Sequence, residues 1–587
     1  MITLNVKSRD YQDYTWVSDT PVELPAIMQV FNPLDMKLFH NDTLDFTGKV
    51  VASPYRQKEH ICGVLIVEGK TYGRLKDKLL YKCIPDADHL PIFYVPYEEK
   101  TNTFSKLKKN KYITFQIKEW RTKQPFGIIT NTLGNVDDIE AYTGYQLLCN
   151  ELNSSVKHLN SVTIRALREK LMSNLPMVYG DKVIEDRRTR PIISIDPKGC
   201  LDIDDAIGLY KTSNGQTVLS IYISNVPLMI DYLNLWSDLS DRISTIYLKD
   251  KRIQMLPSSL SDNRFSLKEG EERLAFVIDI HTAAAKSIDN VTFHTCLIRV
   301  EKNYVYEEQE LLARSDYQEA LKLVKYFNQY TKLNYVNRVN DSHDLIEFCM
   351  IMMNYECSKV LLQHKRGIFR CATKKETTGT KAADEKDEKD EKDEGEGEGE
   401  EDRVRDAALE KHTSDESLSV LNHILQNVAG EYCSVETVRP HELIAGGLET
   451  YVHITSPIRR LVDCINMLEL QRGTFINSIE ASKFLEKWLT KIPYINQQTK
   501  AIRRLQNEVE LLHMYAKNKD QTYSGLVFAR KTAEAPLFNY RVYIHSIKLL
   551  TSVYSVKKVN NNTLMEFTIH WFLDETKMNK KIRLQML

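Results

Sequence analysis

The sequence predicts an α+β protein of several domains, in which a mixed α/β core is flanked by small β-barrels. Three observations lead there. A chain of 587 residues is too long for one hydrophobic core, and the usual length prior gives roughly three or four domains. Short apolar runs between turn residues fill the early chain and return at its end, a pattern of small barrels. Between them, apolar strands alternate with long helical stretches.

The composition supports folding throughout, with 42% hydrophobic residues and a net charge of −1. That near-neutrality hides a segregation. Residues 384–402 carry thirteen acids and three lysines, a net of −10, which leaves +9 for the remainder. A basic body suits a polyanionic partner. The ten cysteines show no C-x-x-C pair, which argues against a zinc site and for reduced intracellular thiols. The first residues lack the apolar core of a signal peptide, and no apolar run would span a bilayer. The expectation is a soluble intracellular protein without membrane contact, cytoplasmic rather than nuclear.

The first 40 residues read as an irregular lead-in. Strands are expected at Phe46–Ala52, Ile61–Val67 and Pro91–Pro96, then at Tyr112–Trp120 and Pro125–Thr130. Domain divisions follow at 1–95 for the lead-in and a first barrel and 96–180 for a second barrel with a helical linker. In the second, Phe104, Lys106, Lys108, Lys109, Lys111, Tyr112, Phe115 and Trp120 interleave cations with aromatic rings. An OB-type single-strand binder offers that combination, a cationic track for phosphates and π-faces for bases. A barrel core with a solvated basic face is the plainer alternative. Helical pattern over Ala141–Lys170 leads into a central domain at 181–517.

That domain opens on Pro191-Ile-Ile-Ser-Ile-Asp196-Pro-Lys-Gly-Cys-Leu-Asp202-Ile-Asp204-Asp205, four aspartates within ten residues. Ile192, Ile193 and Ile195 form a short buried strand, and Pro197-Lys198-Gly199 is turn chemistry. Like charges this close do not all stay ionised unpaired at the edge of a core. A divalent cation resolves the conflict, and hard oxygen donors select magnesium, with manganese as the alternative. A solvated acidic turn is the competing reading. An EF-hand is excluded by register, since the next acid after Asp196 falls six residues on and no glutamate closes a twelve-residue loop.

Thr217–Ser224 follows across Ser213-Asn-Gly215 as a hairpin, and Arg273–Ile280 is a further strand. Leu345–Leu362 is a helix with apolar residues nearly all round, so Glu347 and Asn354 are expected to face a site or a partner. The charged tract at 375–405 has no apolar period and reads as a disordered inserted loop.

The second informative stretch is Tyr451-Val-His453-Ile-Thr-Ser456-Pro457-Ile-Arg459-Arg460-Leu-Val-Asp463. Ser456 is a ready N-cap and Pro457 suits the first helical position. Two arginines in a first turn would oppose the helix dipole, which a bound phosphate would reverse. A surface Arg460–Asp463 pair would account for one of them. Beyond the helical Ile495–Ala516, strands at Tyr540–His545 and Met565–Phe572 indicate a last barrel over 518–587.

Together these stretches resemble the RNB family of ribonucleases. Its first motif, D-P-x-G-x-x-D-I-D-D-A, is here Asp196 to Ala206; its second, Y-x-H-F-T-S-P-I-R-R-Y-x-D, is Tyr451 to Asp463. Y-L-x-x-x-R-I-x-M-L-P matches Tyr247 to Pro257, and E-x-x-M-x-x-x-N matches Glu347 to Asn354. Tyr222-Ile-Ser-Asn225 stands where the family reads H-I-A-D, and Leu461 replaces the tyrosine after the arginine pair. The resemblance implies cold-shock-like barrels before the catalytic domain and an S1-like barrel after it. Members of the exosome type add an N-terminal endonuclease domain, which is not expected in the few residues before Leu44.

The resemblance further implies magnesium-dependent, processive 3′–5′ hydrolysis of single-stranded RNA to nucleoside 5′-monophosphates, by a monomer or a subunit of an exosome-like assembly. In that reading Asp196, Asp202, Asp204 and Asp205 hold magnesium, with two ions during catalysis. Asp204, Asp202 and Arg459 carry the chemistry. Tyr247, Arg459, Arg460, Glu347 and Asn354 contact the RNA, and the barrels admit only unpaired strands. The rival is an RNA-binding or scaffold subunit that kept the fold and lost the chemistry.

Overall fold

In the computed structural model the described residues are 1–18, 32–98, 108–170, 178–179, 182–282, 288–330, 335–336, 338–372, 430–442, 444, 447–517, 521–532, 538–547, 549–560, 563–573 and 580–587. Phe104, Lys106 and the acidic tract at 375–405 lie outside them. The chain divides into two compact units, residues 1–153 with 505–587, and residues 154–504.

The first unit begins with a four-stranded sheet of order β2-β1-β3-β4, from β1 (Ile2–Val6), β2 (Tyr14–Ser18), β3 (Thr43–Leu44) and β4 (Val50–Ala52). Ile2, Leu4 and Val6 alternate inward, as a strand with one buried face requires. A closed barrel follows in the order β5-β6-β7-β9-β8, from β5 (Ile61–Leu75), β6 (Lys78–Pro85), β7 (Phe93–Tyr97), β8 (Lys111–Glu119) and β9 (Phe126–Asn135). Its centre is tight: Phe93 and Phe115 lie 4.8 Å apart, and a Cβ on Gly127 would come within 2.7 Å of the Phe115 ring.

The expected division at 95/96 therefore falls inside one barrel. The strand β7 pairs with both β6 and β9, and spacing along a sequence does not reveal which runs share a closure. The helical stretch is also interrupted. The helix α1 (Ile139–Cys149) ends at Asn150, and α2 (Lys157–Glu169) starts afresh in the second unit. The intervening Asn150-Glu-Leu-Asn-Ser-Ser155 is rich in residues that favour caps and turns over helix interiors, and Glu151 takes a left-handed φ of 57°.

The second unit is built on a seven-stranded sheet: β10 (Glu185–Asp186), β11 (Ile193–Asp196), β12 (Asp205–Lys211), β13 (Thr217–Ser224), β14 (Glu272–Thr282), β15 (Ile288–Arg299) and β16 (Lys302–Val305). Its order is β10-β15-β14-β13-β12-β11-β16, parallel at the two outer pairs and antiparallel within. The hairpin expected at Ser213-Asn-Gly215 joins β12 to β13, with Gly215 at φ 77°. The helix α3 (Val226–Leu233) leaves β13 under an Asn225 cap.

One sheet face, including Ile207, Leu219, Ile221, Ile223, Phe276, Ile278 and Ile280, packs against α4 (Ser315–Tyr330) and α5 (Ser342–Gln363). The other carries Ala206, Tyr222, Ala275, Val277, Cys296 and Ile298 over Ile192, Ile203 and Leu267. On that second face Arg187 makes two bonds to buried Asp279, at 2.9 and 2.8 Å.

The strands β17 (Ile368–Cys371) and β18 (Glu431–Ser434) pair antiparallel, and a disulfide joins Cys371 to Cys433 across them. The sequence gives no sign that these two cysteines, 62 residues apart, meet on adjacent strands. Then come α6 (Leu461–Gln471), α7 (Ile479–Leu489) and α8 (Ile492–Lys517), within which the 504/505 division falls. The first unit resumes as a sheet of order β21-β20-β19-β22-β23, from β19 (Thr522–Thr532), β20 (Phe538–Ile544), β21 (Leu549–Ser555), β22 (Thr563–Leu573) and β23 (Lys580–Met586), around Val527, Tyr540, Val542 and Phe567. No helix among the described residues is long and apolar enough to cross a membrane.

Candidate active site

The aspartate loop is fixed by its apolar frame. The strand β11 ends at Asp196, and Gly199, at φ 83°, lets the chain turn back. Buried Ile203 is the anchor: its N–H donates to Ser266 Oγ at 3.1 Å and its carbonyl accepts from Leu267 at 3.0 Å. The Asp204 carbonyl accepts from Ser224 N–H at 2.8 Å, and Asp205 opens β12. A four-residue run of chain thus carries Asp202, Asp204 and Asp205 past the end of the sheet.

The second stretch departs from expectation. Ser456 is not a helix cap. Residues 457–459 form a turn closed by bonds from the Arg459 and Arg460 amides to the Ser456 carbonyl, and α6 begins only at Leu461 with Arg460 in the N-cap position. The reason is a competing strand-like pairing. Thr245 N–H donates to the Arg459 carbonyl at 2.9 Å and Leu461 N–H to the Ile243 carbonyl at 2.8 Å, with a bridge between Ser244 and Arg460. Arg460 is held extended, at φ −130° and ψ 126°, so the dipole argument for two first-turn arginines does not apply.

This turn meets the aspartate loop directly. Ile458 N–H donates to Asp204 Oδ1 at 2.9 Å and Arg459 Nε to Asp204 Oδ2 at 3.2 Å, although the partners are some 250 residues apart. Arg459 Nη2 also reaches Ser456 Oγ at 2.9 Å. Arg460 turns away from the aspartates: Nη2 donates to Asp463 Oδ1 at 3.0 Å, and Asp463 is fully buried. Asp463 Oδ1 accepts from Ser456 N–H as well, at 2.8 Å. The Arg460–Asp463 pair is therefore an internal brace of the turn, not a surface pair.

Tyr247 and Arg252 arrive together. Ile246–Tyr247 pairs with Arg252–Ile253 in a short hairpin whose cross-strand partners are Tyr247 and Arg252. Tyr247 Oη donates to Asp202 Oδ2 at 2.9 Å, and Arg252 Nη1 donates to Asp202 Oδ1 at 2.5 Å. Arg252 Nη2 reaches Asp262 at 2.8 Å. The Tyr247 residue stays 41% exposed, which leaves surface for stacking.

Asn354 and Glu347 lie on α5. Asn354 is buried, donating to Tyr451 Oη at 2.9 Å and accepting from Ile454 N–H at 2.9 Å, so its amide holds the segment that leads to Ser456. A direct RNA contact does not fit that burial. Glu347 is half-buried. Beside the same segment, Tyr432 Oη is 2.8 Å from His453 Nδ1.

Burial raises the Asp204 carboxyl to about 8, although Arg459 and the Ile458 amide pull it down. Of the four aspartates, Asp202 bonds the Arg252 guanidinium and Asp204 that of Arg459. All-oxygen donors in charge excess are the set that a hard divalent cation accepts, so the residues fit magnesium in kind. As they stand, no three His, Cys, Asp or Glu side chains among the described residues converge on one point.

Sequence reasoning singled out Tyr247, gave Asp463 only a surface pairing with Arg460, and assigned no role to Arg252 or Asp262. The signal for Arg252 was present: five residues across a tight turn make it the cross-strand partner of Tyr247.

Two families match the chain. The RNB domain matches residues 184–338 and 309–475, and the Dis3-like cold-shock domain 2 matches 80–151. Exosome complex exonuclease RRP44 of Mus musculus is 27% identical over 274 residues, 45% of this chain and 26% of that one. The first curated relatives are matched over only 26% to 30% of their own length. Among solved structures, Mycoplasma genitalium RNase R in complex with double-stranded RNA gives a TM-score of 0.64 at 17% identity, covering 94% of this chain and 98% of that one. Yeast Ssd1, described as a pseudonuclease, gives 0.52 at 14% identity, over 90% of this chain and 70% of that one. At such identities these are likenesses of fold. An aspartate loop at the strand ends, bonded to an S-P-I-R-R turn within a stretch matched by the RNB domain and preceded by a Dis3-like cold-shock barrel, places the protein: the chain belongs to the RNB family.

Proposed function

We propose that the protein is a magnesium-dependent 3′–5′ exoribonuclease that hydrolyses single-stranded RNA processively to nucleoside 5′-monophosphates. The observation that carries this reading is the direct bonding of Asp204 to Ile458 N–H and Arg459. It joins an acidic loop to a phosphate-suited guanidinium in one half-buried place.

Asp196, Asp202, Asp204 and Asp205 would hold magnesium, or manganese in its stead, with two ions during catalysis. The bound metal supplies an activated water at neutral pH and offsets charge on the departing 3′ oxygen. The chain's own residues do the rest. Arg459 turns its outer guanidinium edge to the scissile phosphate as negative charge develops there. Asp204, fixed by the Ile458 amide and Arg459, completes the donor set and orients the attacking water. Tyr247 presents its exposed ring to a terminal base. Arg460, Asp463 and Asn354 keep the turn in place, and Glu347 lies on the helix that braces it. We assign the chemistry to the domain at 181–517 and the delivery of RNA to the barrels. The chain acts in the cytoplasm, as a monomer or, by analogy with the mouse relative named for the exosome complex, as a subunit of such an assembly.

A second reading has its own observation. Both Asp202 oxygens are engaged by Tyr247 and Arg252, and no three ligating side chains converge among the described residues. The fold also occurs in a protein described as a pseudonuclease. On that reading the chain binds RNA without cutting it. Incubation with 3′-tailed and blunt duplex RNA, in magnesium or chelator, separates the two. Magnesium-dependent release of mononucleotides from the tail supports the exonuclease; RNA retained intact under both conditions overturns it.

A further inference from the structure

We propose that Arg252 is a resident counter-ion of the acidic loop, a latch that bridges Asp202 and Asp262 and lets go of Asp202, keeping Asp262, when a divalent cation binds. The inference rests on the metal-dependent reading above and concerns how that site is kept closed and opened.

The geometry gives Arg252 two carboxylate seats. Its Nη1 lies 2.5 Å from Asp202 Oδ1 and its Nη2 lies 2.8 Å from Asp262 Oδ1. The first seat belongs to the aspartate cluster, with an Asp202 side chain only 8% exposed; the second stands outside it. Asp262 is already prepared as a resting place, since the same Oδ1 accepts from Gln254 Nε2 at 2.6 Å and Ser261 Oγ at 3.0 Å. The arm that carries Arg252 is slight: a hairpin of two residues per strand, with exposed Lys249, Asp250 and Lys251 at its tip. The guanidinium bonds both carboxylates at once, so letting go of Asp202 leaves it held by Asp262.

Charge makes the two ligands of Asp202 competitors. A guanidinium and a divalent cation both seek the Asp202 oxygens and repel each other across a short, half-buried distance. In the metal-free protein Arg252 supplies the compensation that burial demands. When a cation takes that role, Asp262 keeps the arginine, so no positive charge is left stranded. The same hairpin carries Tyr247, bonded to the other Asp202 oxygen at 2.9 Å, so release of Asp202 also frees the ring that would meet the RNA end.

Coupling of this kind is reciprocal and has a sign. We would measure binding of magnesium chloride alone, and manganese chloride alone, to the full chain by isothermal titration calorimetry and by thermal shift against chelator. Arg252→Gln removes the competitor and should bind magnesium about tenfold more tightly. Asp262→Asn removes the second seat, commits the arginine to Asp202 and should bind magnesium more weakly by a similar factor. The double variant should follow Arg252→Gln. A brace with no latch function would make both single variants bind equally or more weakly, and that result overturns the proposal. So does an Asp262→Asn protein that binds as tightly as its parent, which keeps the test decisive where Arg252→Gln does not fold. A parent chain that binds neither ion removes the metal-dependent reading itself, and the latch with it.

Discussion

The replacement Asp204→Asn separates chemistry from stability and can be worked out from the structure. Asp204 is 3% exposed, and burial first of all lifts its carboxyl to about 8 from an ordinary 3.8. A folded-state value above the unfolded one means that the native state holds the extra proton between those limits. Stability contributed by this group is therefore full below the unfolded value and falls as pH rises through the window to about 8. At pH 7 the deficit is about 4 kcal/mol at 1.36 kcal/mol per pH unit, as an upper bound. Asparagine keeps an oxygen for the Ile458 amide and carries no charge to bury. Its amide nitrogen meets Arg459 Nε donor against donor, so the slope is the readout: in urea unfolding the stability of the metal-free variant should decline less between pH 5 and pH 8.

Its activity should fall. Loss of the carboxylate should slow single-turnover release of nucleotides from a 3′-tailed RNA by about 10³-fold or more, roughly 4 kcal/mol of transition-state stabilisation. The stabilisation given by magnesium should shrink with it, since one anionic oxygen donor of the cluster is gone. A variant that degrades RNA at the parental rate, or that gains as much stability from magnesium as the parent does, would refute the reasoning.

Other replacements test the neighbouring roles. Arg459→Lys keeps the charge but loses the fork that bonds both Asp204 and Ser456; we expect a drop of about 10²-fold in rate in the same assay, with RNA affinity little changed. Tyr247→Phe should bind a 3′-terminated oligonucleotide as the parent does, whereas Tyr247→Ala should lose about 1–3 kcal/mol in fluorescence anisotropy, the worth of a base stacked on an aromatic ring. Arg187→Ala strands Asp279, whose burial pushes its carboxyl up but whose bonds from Arg187 and Ser220 hold it below the usual range. We expect about 3–5 kcal/mol of destabilisation in urea unfolding at pH 7. In the parent, the stabilisation from this carboxylate is full above the unfolded value and fades as pH falls through the lowered one.

What the sequence made legible was local, and what it hid was pairing at a distance. Thr217–Ser224 and Arg273–Ile280 announce themselves as strands because a chain segment buried on both faces needs continuous apolar side chains. The aspartate loop announces itself because no ordinary turn frames four acids with isoleucines. Neither signal says that Ile458 N–H, over 250 residues away, will close on Asp204. The misplaced start of α6 has the same origin. Ser456-Pro457 satisfies every local rule for a helix N-terminus, yet the bonds of Thr245 to Arg459 and of Leu461 to Ile243 hold Arg460 extended between the turn and the helix. Local propensity is worth about 1 kcal/mol at a cap, and two backbone bonds with a buried Arg460–Asp463 pair outweigh it. The barrel division at 95/96 failed likewise, since β7 bonds to strands on either side of it.

Arg252 is the instructive case, because the information for it was local and was still passed over. An arginine five residues from a tyrosine across a tight turn faces the same side of a hairpin as that tyrosine. Once Tyr247 is placed beside the acidic loop, Arg252 has to be there as well, and a cation beside four aspartates has few neutral consequences. It either helps to assemble the metal site or keeps it shut. The bond to Asp202 at 2.5 Å, with Asp262 in reach at 2.8 Å, favours the second. If so, the motif around Tyr247 encodes two functions on one arm, a ring for the nucleic acid and a charge for the site that cuts it.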